Sequence, residues 1–362
     1  MKIAVITCYS DPDHIRAQII RAAAKAYPGA KVIVIKNQHR GLRRYKEVVS
    51  KLINVRRHQR PDVYVLTFRG QELLPVVLLV AGLKPVIFDE HLVPSAYVAG
   101  DQYRRNFSTL LKYRLIRLSE PLYRVWIRHC RFILSDTNAQ AELSARTSHV
   151  NFRQYRILPA GTDETSFTPT GANKTALSAA PFTVLVHGAL LYSPSGIDIL
   201  LAAAELTKAE QSVQFELIGG PKAAAKKIAT SVLNGAQISY QPAVAWETWP
   251  EALKTASLSI GMPFSPYSAT QLAITNDVYQ ALASALPVLV PDNEATSAIF
   301  QDKINALVLP QTDAETLARV IRWAARHRNE LVDIGRGGRK LYEREFANEV
   351  VIRQFKNLLD EL

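Results

Sequence analysis

Residues 159–181 read PAGTDETSFTPTGANKTALSAAP, a run of Thr, Ser, Ala, Gly and Pro with few large apolar side chains. Gly and Pro interrupt regular structure, and the small residues between them bury too little surface to hold an element together. Pro159–Pro181 is therefore expected to be a linker. Before it, the runs Lys2–Thr7, Lys31–Ile35, Asp62–Thr67, Pro85–Phe88 and Phe132–Leu134 are separated by the helical stretches Asp13–Ala26, Leu42–Arg57, Gln71–Ala81 and Arg104–Arg128. Short Val/Ile-rich runs without polar alternation suit strands covered on both faces, as in a parallel sheet. Their alternation with helices indicates a doubly wound α/β layer.

The same rhythm resumes after the linker. Phe182–Val186, Val213–Ile218, Ser257–Gly261, Pro287–Val290 and Asn305–Leu309 read as strands, and Gly196–Leu206, Lys222–Val232 and Val278–Ala285 as helices between them. Helices over Asp313–His327, Glu330–Phe346 and Asn348–Leu362 close the chain. The expected architecture is two Rossmann-like α/β domains, residues 1–158 and 182–347, joined by the linker 159–181. A C-terminal helix over 348–362 is expected to pack back toward the first domain.

Composition narrows the class. The 362 residues are 48% hydrophobic and 21% charged, ordinary for a folded protein and too apolar for long disorder. Cys8 and Cys130 have no CxxC or Cys/His spacing around them, which excludes a zinc ribbon and a disulfide scaffold. The longest apolar run, Leu73–Leu83, contains a Pro and a Gly and falls short of the about 20 residues a membrane span needs. The start, MKIAVITC, turns polar too early for a signal peptide, so a cytoplasmic location is expected.

Charge is distributed unequally. Residues 1–150 hold 25 Lys+Arg against 11 Asp+Glu, and the rest of the chain holds 19 against 21. The excess lies in Lys36–Arg60 and in Arg104–Arg131, where Arg114, Arg117 and Arg124 are interleaved with Phe107, Leu111, Leu122 and Trp126. Such a helix either attaches to an anionic membrane, through its Phe107/Leu111/Trp126 side, or is a solvated basic face over a core stripe. No nucleic-acid reader motif accompanies the charge, so nucleic acid is not an expected partner.

Five segments taken in order, ILSDTNAQ (133–140), ILPAGTDETSFTP (157–169), VLVHGALLYSPSGI (184–197), FELIGG (215–220) and NDVYQALASALP (276–287), resemble the GT-B glycosyltransferases, specifically the family-4, group 1 retaining enzymes. Within the second segment, Pro159, Gly161, Asp163, Phe167 and Pro169 fit the family pattern PxGxDxxxFxP. The resemblance implies two facing Rossmann-like domains, an acceptor site in the first and a nucleotide-sugar site in the second, with no metal and no other cofactor. The donor motif is degenerate. Where relatives carry an Arg and a Lys that clamp the diphosphate, this chain has Gly188-Ala189-Leu190 and Ser195-Gly196, and where relatives carry two glutamates it has Leu272 and Gln280. Two charge-assisted hydrogen bonds contribute about 3–6 kcal/mol, so their loss weakens diphosphate binding about 10²–10⁴-fold unless another cation replaces them. Lys222, after Gly219-Gly220 at a helix start, is the replacement the sequence offers.

By the same resemblance, His91 at the end of the Pro85–Phe88 strand region stabilises the departing diphosphate, with Asp89 or Glu90 on acceptor hydroxyls. The other reading of Asp89-Glu90-His91 is a solvated, acid-capped turn. Gly188, Gly219, Gly220 and Lys222 are the expected donor-binding positions, beside which His187 reads either as a phosphate contact or as a satisfied strand-end histidine. Asn276 and Gln280, one helical turn apart, are expected to reach ribose or sugar hydroxyls, or else to form a polar helix face. Two functions follow: transfer of a sugar from a nucleotide-sugar to a glycan or lipid-linked glycan with retention, or a catalytically impaired protein of the same fold that binds a glycan or partners an active transferase. The first places the protein in the cytoplasm, peripheral to the inner face of the plasma membrane. A dehydrogenase would need a dinucleotide fingerprint after a strand, and none is present.

Overall fold

A computed structural model describes residues 1–90, 107–169, 181–187, 191, 194–242, 249–261, 264, 271–310 and 312–362. The chain forms two compact units, Met1–Gly161 with Asn348–Leu362, and Thr162–Ala347.

The first unit runs β1 (Lys2–Thr7), α1 (Ile15–Lys25), β2 (Lys31–Lys36), α2 (Arg43–His58), β3 (Val63–Leu66), α3 (Leu74–Ala81), β4 (Val86–Asp89), α4 (Phe107–Ile127), β5 (Phe132–Ser135), α5 (Asn138–Ser148) and β6 (Tyr155–Ile157). Its six strands are parallel in the order β2-β1-β3-β4-β5-β6. Val63–Leu66 and Val86–Asp89 are buried at every position, which is why these runs show no polar alternation. One core layer gathers Ala4, Ile6, Leu52, Val77 and Phe88, and the opposite layer Ile3, Val5, Ile20, Val65 and Leu134. The second layer is completed by Val351, Phe355, Leu358 and Leu359 of the C-terminal helix Asn348–Asp360. That helix also holds Tyr27, whose hydroxyl donates to Asp360 at 2.8 Å.

The second unit runs β7 (Phe182–His187), α6 (Pro194–Leu206), β8 (Val213–Ile218), α7 (Lys222–Leu233), β9 (Ile238–Gln241), α8 (Trp249–Thr255), β10 (Leu258–Ile260), α9 (Asn276–Ala283), β11 (Val288–Pro291), β12 (Leu307–Leu309), α10 (Ala314–Arg326) and α11 (Arg328–Glu345). Its strands are again parallel, in the order β12-β11-β10-β7-β8-β9. The order reverses between β1 and β3 in one sheet and between β7 and β10 in the other. Ligands of open α/β sheets bind outside the carboxyl ends of the strands at such reversals.

The expected doubly wound parallel sheets are present, with several local departures. The segment expected to be helical from Gln71 opens as a 3₁₀ turn, Gln71–Leu73, before α3 begins. The helix expected over Val278–Ala285 runs from Asn276 to Ala283, because Ala285 turns left-handed at φ 56°. Four elements, α5, β6, β9 and α8, were not expected at all. In α11, Gly337 presses its backbone on the loop before β12: a Cβ there would lie 1.9 Å from the Ile304 carbonyl oxygen. Gly335 meets the Ala285 carbonyl in the same way, at 2.4 Å.

Candidate active site

At the carboxyl edge of the first sheet, Asp89 ends β4 with 2% of its surface exposed. Arg16, from the first turn of α1, donates to Asp89 Oδ1 from Nη2 at 2.7 Å and from Nε at 3.1 Å. Asp89 Oδ2 accepts the Phe68 backbone N–H at 3.0 Å, so this carboxylate ties α1 to the loop after β3. The same guanidinium donates to the carbonyls of Leu158 and Pro159, the latter at 2.7 Å, and stands 3.2 Å from Asp136. Burial raises the Asp136 carboxyl to about 6, with Arg16 opposing the rise and Asp89 adding to it.

Glu90 points inward too, with 1% exposed. The Tyr123 hydroxyl of α4 donates to its Oε1, and Gln140 Nε2 of α5 donates to its backbone carbonyl at 2.8 Å. Burial raises the Glu90 carboxyl to about 7, against the opposing hydrogen bonds of Ser144 and Tyr123. The expectation that Asp89 or Glu90 lies open to acceptor hydroxyls is therefore corrected. Asp89 is held by Arg16 and Phe68, and Glu90 is enclosed with Tyr123. His91 lies outside the described residues.

In the second unit, His187 is the last residue of β7, beside the reversal of strand order. Its ring lies over Trp249, with centroids 3.7 Å apart. Burial lowers its pKa to about 4, so the imidazole is neutral at pH 7. Trp249, itself 2% exposed, donates from Nε1 to Gln280 Oε1 at 2.7 Å. The side-chain oxygen of Gln280 thus accepts from the protein rather than standing on an open polar face. Asn276 sits half-buried at the first position of α9. Trp249 belongs to this constellation and was missed from sequence. Its signal was Pro250 one residue on, a residue favoured in a first helical turn.

Gly219 and Gly220 follow β8 with φ 82° and 94°, values that favour glycine. A Cβ on Gly220 would come within 2.9 Å of the Leu191 Cβ, so the turn lies flat against that side chain. Pro221 is the N-cap of α7, and Lys222 is exposed as its first residue. Gly188 lies outside the described residues. Among the described residues, no three His, Cys, Asp or Glu side chains gather as a metal-binding group.

Residues 181–327 match the family model described as "Glycosyl transferases group 1". No curated protein matches the chain by sequence. Among solved structures, Anabaena HepE in complex with UDP and glucose is similar with a TM-score of 0.71 and 15% identity, covering 100% of both chains. Sucrose-phosphate synthase from Thermosynechococcus elongatus gives a TM-score of 0.73 at 13% identity, covering 100% of this chain and 98% of that one. The lipopolysaccharide outer core galactosyltransferase WaaB, in its apo form, gives 0.65 at 11% identity, covering 100% of both. At such identities the structural likeness establishes the fold alone. The structural likeness gives the chain the GT-B fold, and the match to the group 1 glycosyltransferase domain lies within its second unit.

Proposed function

We propose that the protein transfers a sugar from a nucleotide-sugar to a glycan or lipid-linked glycan with retention of configuration. The observation that carries this reading is the Gly219-Gly220 turn at the carboxyl edge of the group 1 domain: paired positive-φ glycines, then a helix start bearing Lys222. Backbone N–H groups at such a start favour anions, and Lys222 adds the cation that the degenerate clamp lacks. HepE was solved with UDP-glucose, which makes a uridine diphosphate sugar the first donor to try. His91 is assigned the departing diphosphate, and the reading requires no metal. Asp89 acts by position, holding Arg16 and the Phe68 loop rather than touching substrate.

A second reading, a non-catalytic glycan-binding or partner subunit, is favoured by one contact. Gln280, which stands where relatives carry the second glutamate, spends its oxygen on Trp249. A panel of UDP- and GDP-sugars separates the two readings. Thermal stabilisation by a nucleotide together with slow donor hydrolysis supports the transferase, and binding of neither nucleotide removes it.

A peripheral membrane location belongs to the transferase reading. Trp126 packs against the core, so it is not the inserting side chain. Among the described side chains of α4 the exposed apolar ones are Leu118, Leu122 and Val125, while those of Phe107 and Leu111 lie outside the description; Leu79 of α3 is exposed as well. Leu74, Pro75, Leu122 and Trp126 line a groove of about 310 Å³ between α3 and α4. Exposed Arg114 on this helix and Arg128 in the turn after it supply charge that an anionic bilayer attracts. No described helix is long and apolar enough to cross a membrane.

A further inference from the structure

Four side chains meet where strand order reverses in the first unit, on the loops after β1 and β3. The Phe68 and His14 rings stack with centroids 4.3 Å apart and planes 3° from parallel. Tyr9 stands edge-on to Phe68 at 5.3 Å. The Arg69 guanidinium lies 5.4 Å from the centroids of both the Tyr9 and Phe68 rings, and its Nη1 donates to the Tyr9 hydroxyl at 3.1 Å. Tyr9, His14 and Arg69 remain partly exposed, while Phe68 is buried beneath them.

The cluster is held from outside itself. Asn37 accepts the Tyr9 N–H at 3.1 Å and donates to the Tyr9 carbonyl at 3.0 Å, and Asp89 holds the Phe68 N–H. Arg69 has φ 54°, a left-handed conformation that is uncommon outside glycine. Gly70 follows it, so the chain had a glycine at hand and places an arginine in the strained position instead. Among the described residues, none of the four belongs to the two core layers on the sheet faces. A planar guanidinium held beside aromatic rings is preorganised to take a carboxylate or phosphate in bidentate fashion.

We propose that Tyr9, His14, Phe68 and Arg69 form the acceptor subsite for an anionic sugar, with the sugar ring against the aromatic side chains and its carboxylate or phosphate on Arg69. The inference rests on the transferase reading, in that it names the acceptor class of the first unit. His14 is kept neutral by its burial despite Asp11 and Asp89 nearby, so it offers the sugar a ring and a hydrogen-bonding nitrogen rather than a second cation.

The test is calorimetric titration of the intact protein with glucuronate, glucose 6-phosphate, glucose and inorganic phosphate, with UDP titrated in parallel. An anionic sugar should bind at least tenfold more tightly than glucose, the lower end of a charge-assisted hydrogen bond. Preference for glucuronate marks a uronic acceptor and preference for glucose 6-phosphate a phosphorylated one. Arg69→Asn, which tolerates the left-handed backbone, should abolish that preference while leaving the melting temperature and UDP affinity unchanged. Tyr9→Leu should weaken both anionic sugars and leave UDP affinity intact. Equal binding of glucose, a preference that survives Arg69→Asn, or inorganic phosphate binding as tightly as the sugar phosphate overturns the subsite. UDP binding without sugar preference removes this inference alone. Anionic-sugar binding without UDP binding keeps the subsite and removes the transferase.

Discussion

Replacing Arg16 with Gln tests whether the carboxyl edge of the first unit is built around one buried cation. Arg16 is 2% exposed and serves Asp89, Asp136 and the carbonyls of Leu158 and Pro159. Removing one partner of a buried ion pair costs about 3–5 kcal/mol, because the remaining charge stays buried without compensation. The two carbonyls add to this to the extent that water cannot reach them. In a unit of this size each kcal/mol moves the melting temperature by about 2–4 °C, so the transition of the first unit should fall by roughly 6–20 °C. The loss should be greatest near pH 8 and shrink toward pH 5, since a proton on Asp136 can then replace the missing cation. Calorimetric scans of the intact protein at several pH values read both effects. A fall under 2 °C at pH 8, or one independent of pH, would falsify the account of Arg16 as the cation that compensates two buried carboxylates.

Four further outcomes follow from the geometry. The Glu90 carboxyl is raised from 4.5 to about 7, so its contribution to stability is complete below pH 4.5 and is lost as pH rises through 7; Glu90→Gln should flatten this decline, worth about 3 kcal/mol, in urea melts from pH 4 to 8. Gly337→Ala should lower the melting transition of the second unit or prevent its folding, since the new Cβ would meet the Ile304 carbonyl at 1.9 Å; an unchanged melt refutes the close packing of α11. Lys222→Ala should weaken nucleotide binding about tenfold or more with little change in stability, and unchanged affinity removes it as the replacement clamp. Paired Leu118→Glu and Leu122→Glu should abolish salt-resistant sedimentation with anionic liposomes at 1 M salt, where the Debye length is about 3 Å; binding that salt alone removes in the wild type argues against apolar insertion.

Both sheets were legible because they hold unbroken apolar runs such as VYVL in the first and VLVP in the second, and burial on both faces forces that composition. The missed elements lack it. Helix α5 reads NAQAELSARTS, with few large apolar residues, yet Thr137 caps it by accepting the Gln140 N–H at 3.1 Å. That Thr-x-x-Gln spacing was a usable signal. Strand β9 sits at a sheet edge and alternates in burial, so four residues carried the whole pattern. The site was less legible. Asp89 and Glu90 occupy the expected strand end, but their inward turn depends on Arg16 and Tyr123, 73 and 33 residues away. Nothing local distinguishes Arg16 from the other arginines of a basic half. The left-handed backbone of Arg69 was equally invisible, because residue type predicts positive φ only for glycine and, weakly, for Asn and Asp.

The C-terminal helix completes a core whose other members come from the first 158 residues. During synthesis, Ile3, Val5, Ile19 and Ile20 therefore emerge with part of one sheet face uncovered. The ribosome must add the 186 residues of Thr162–Ala347 before the covering helix appears. At about 5–20 residues per second that takes roughly 10–40 s, far longer than a domain of this size needs to collapse. The second unit, contiguous in sequence, can finish folding first, so the order of maturation is the reverse of the order of translation. The first unit waits in a state with exposed apolar surface, and in that interval a chaperone can compete for the face that Phe355 and Leu359 later occupy.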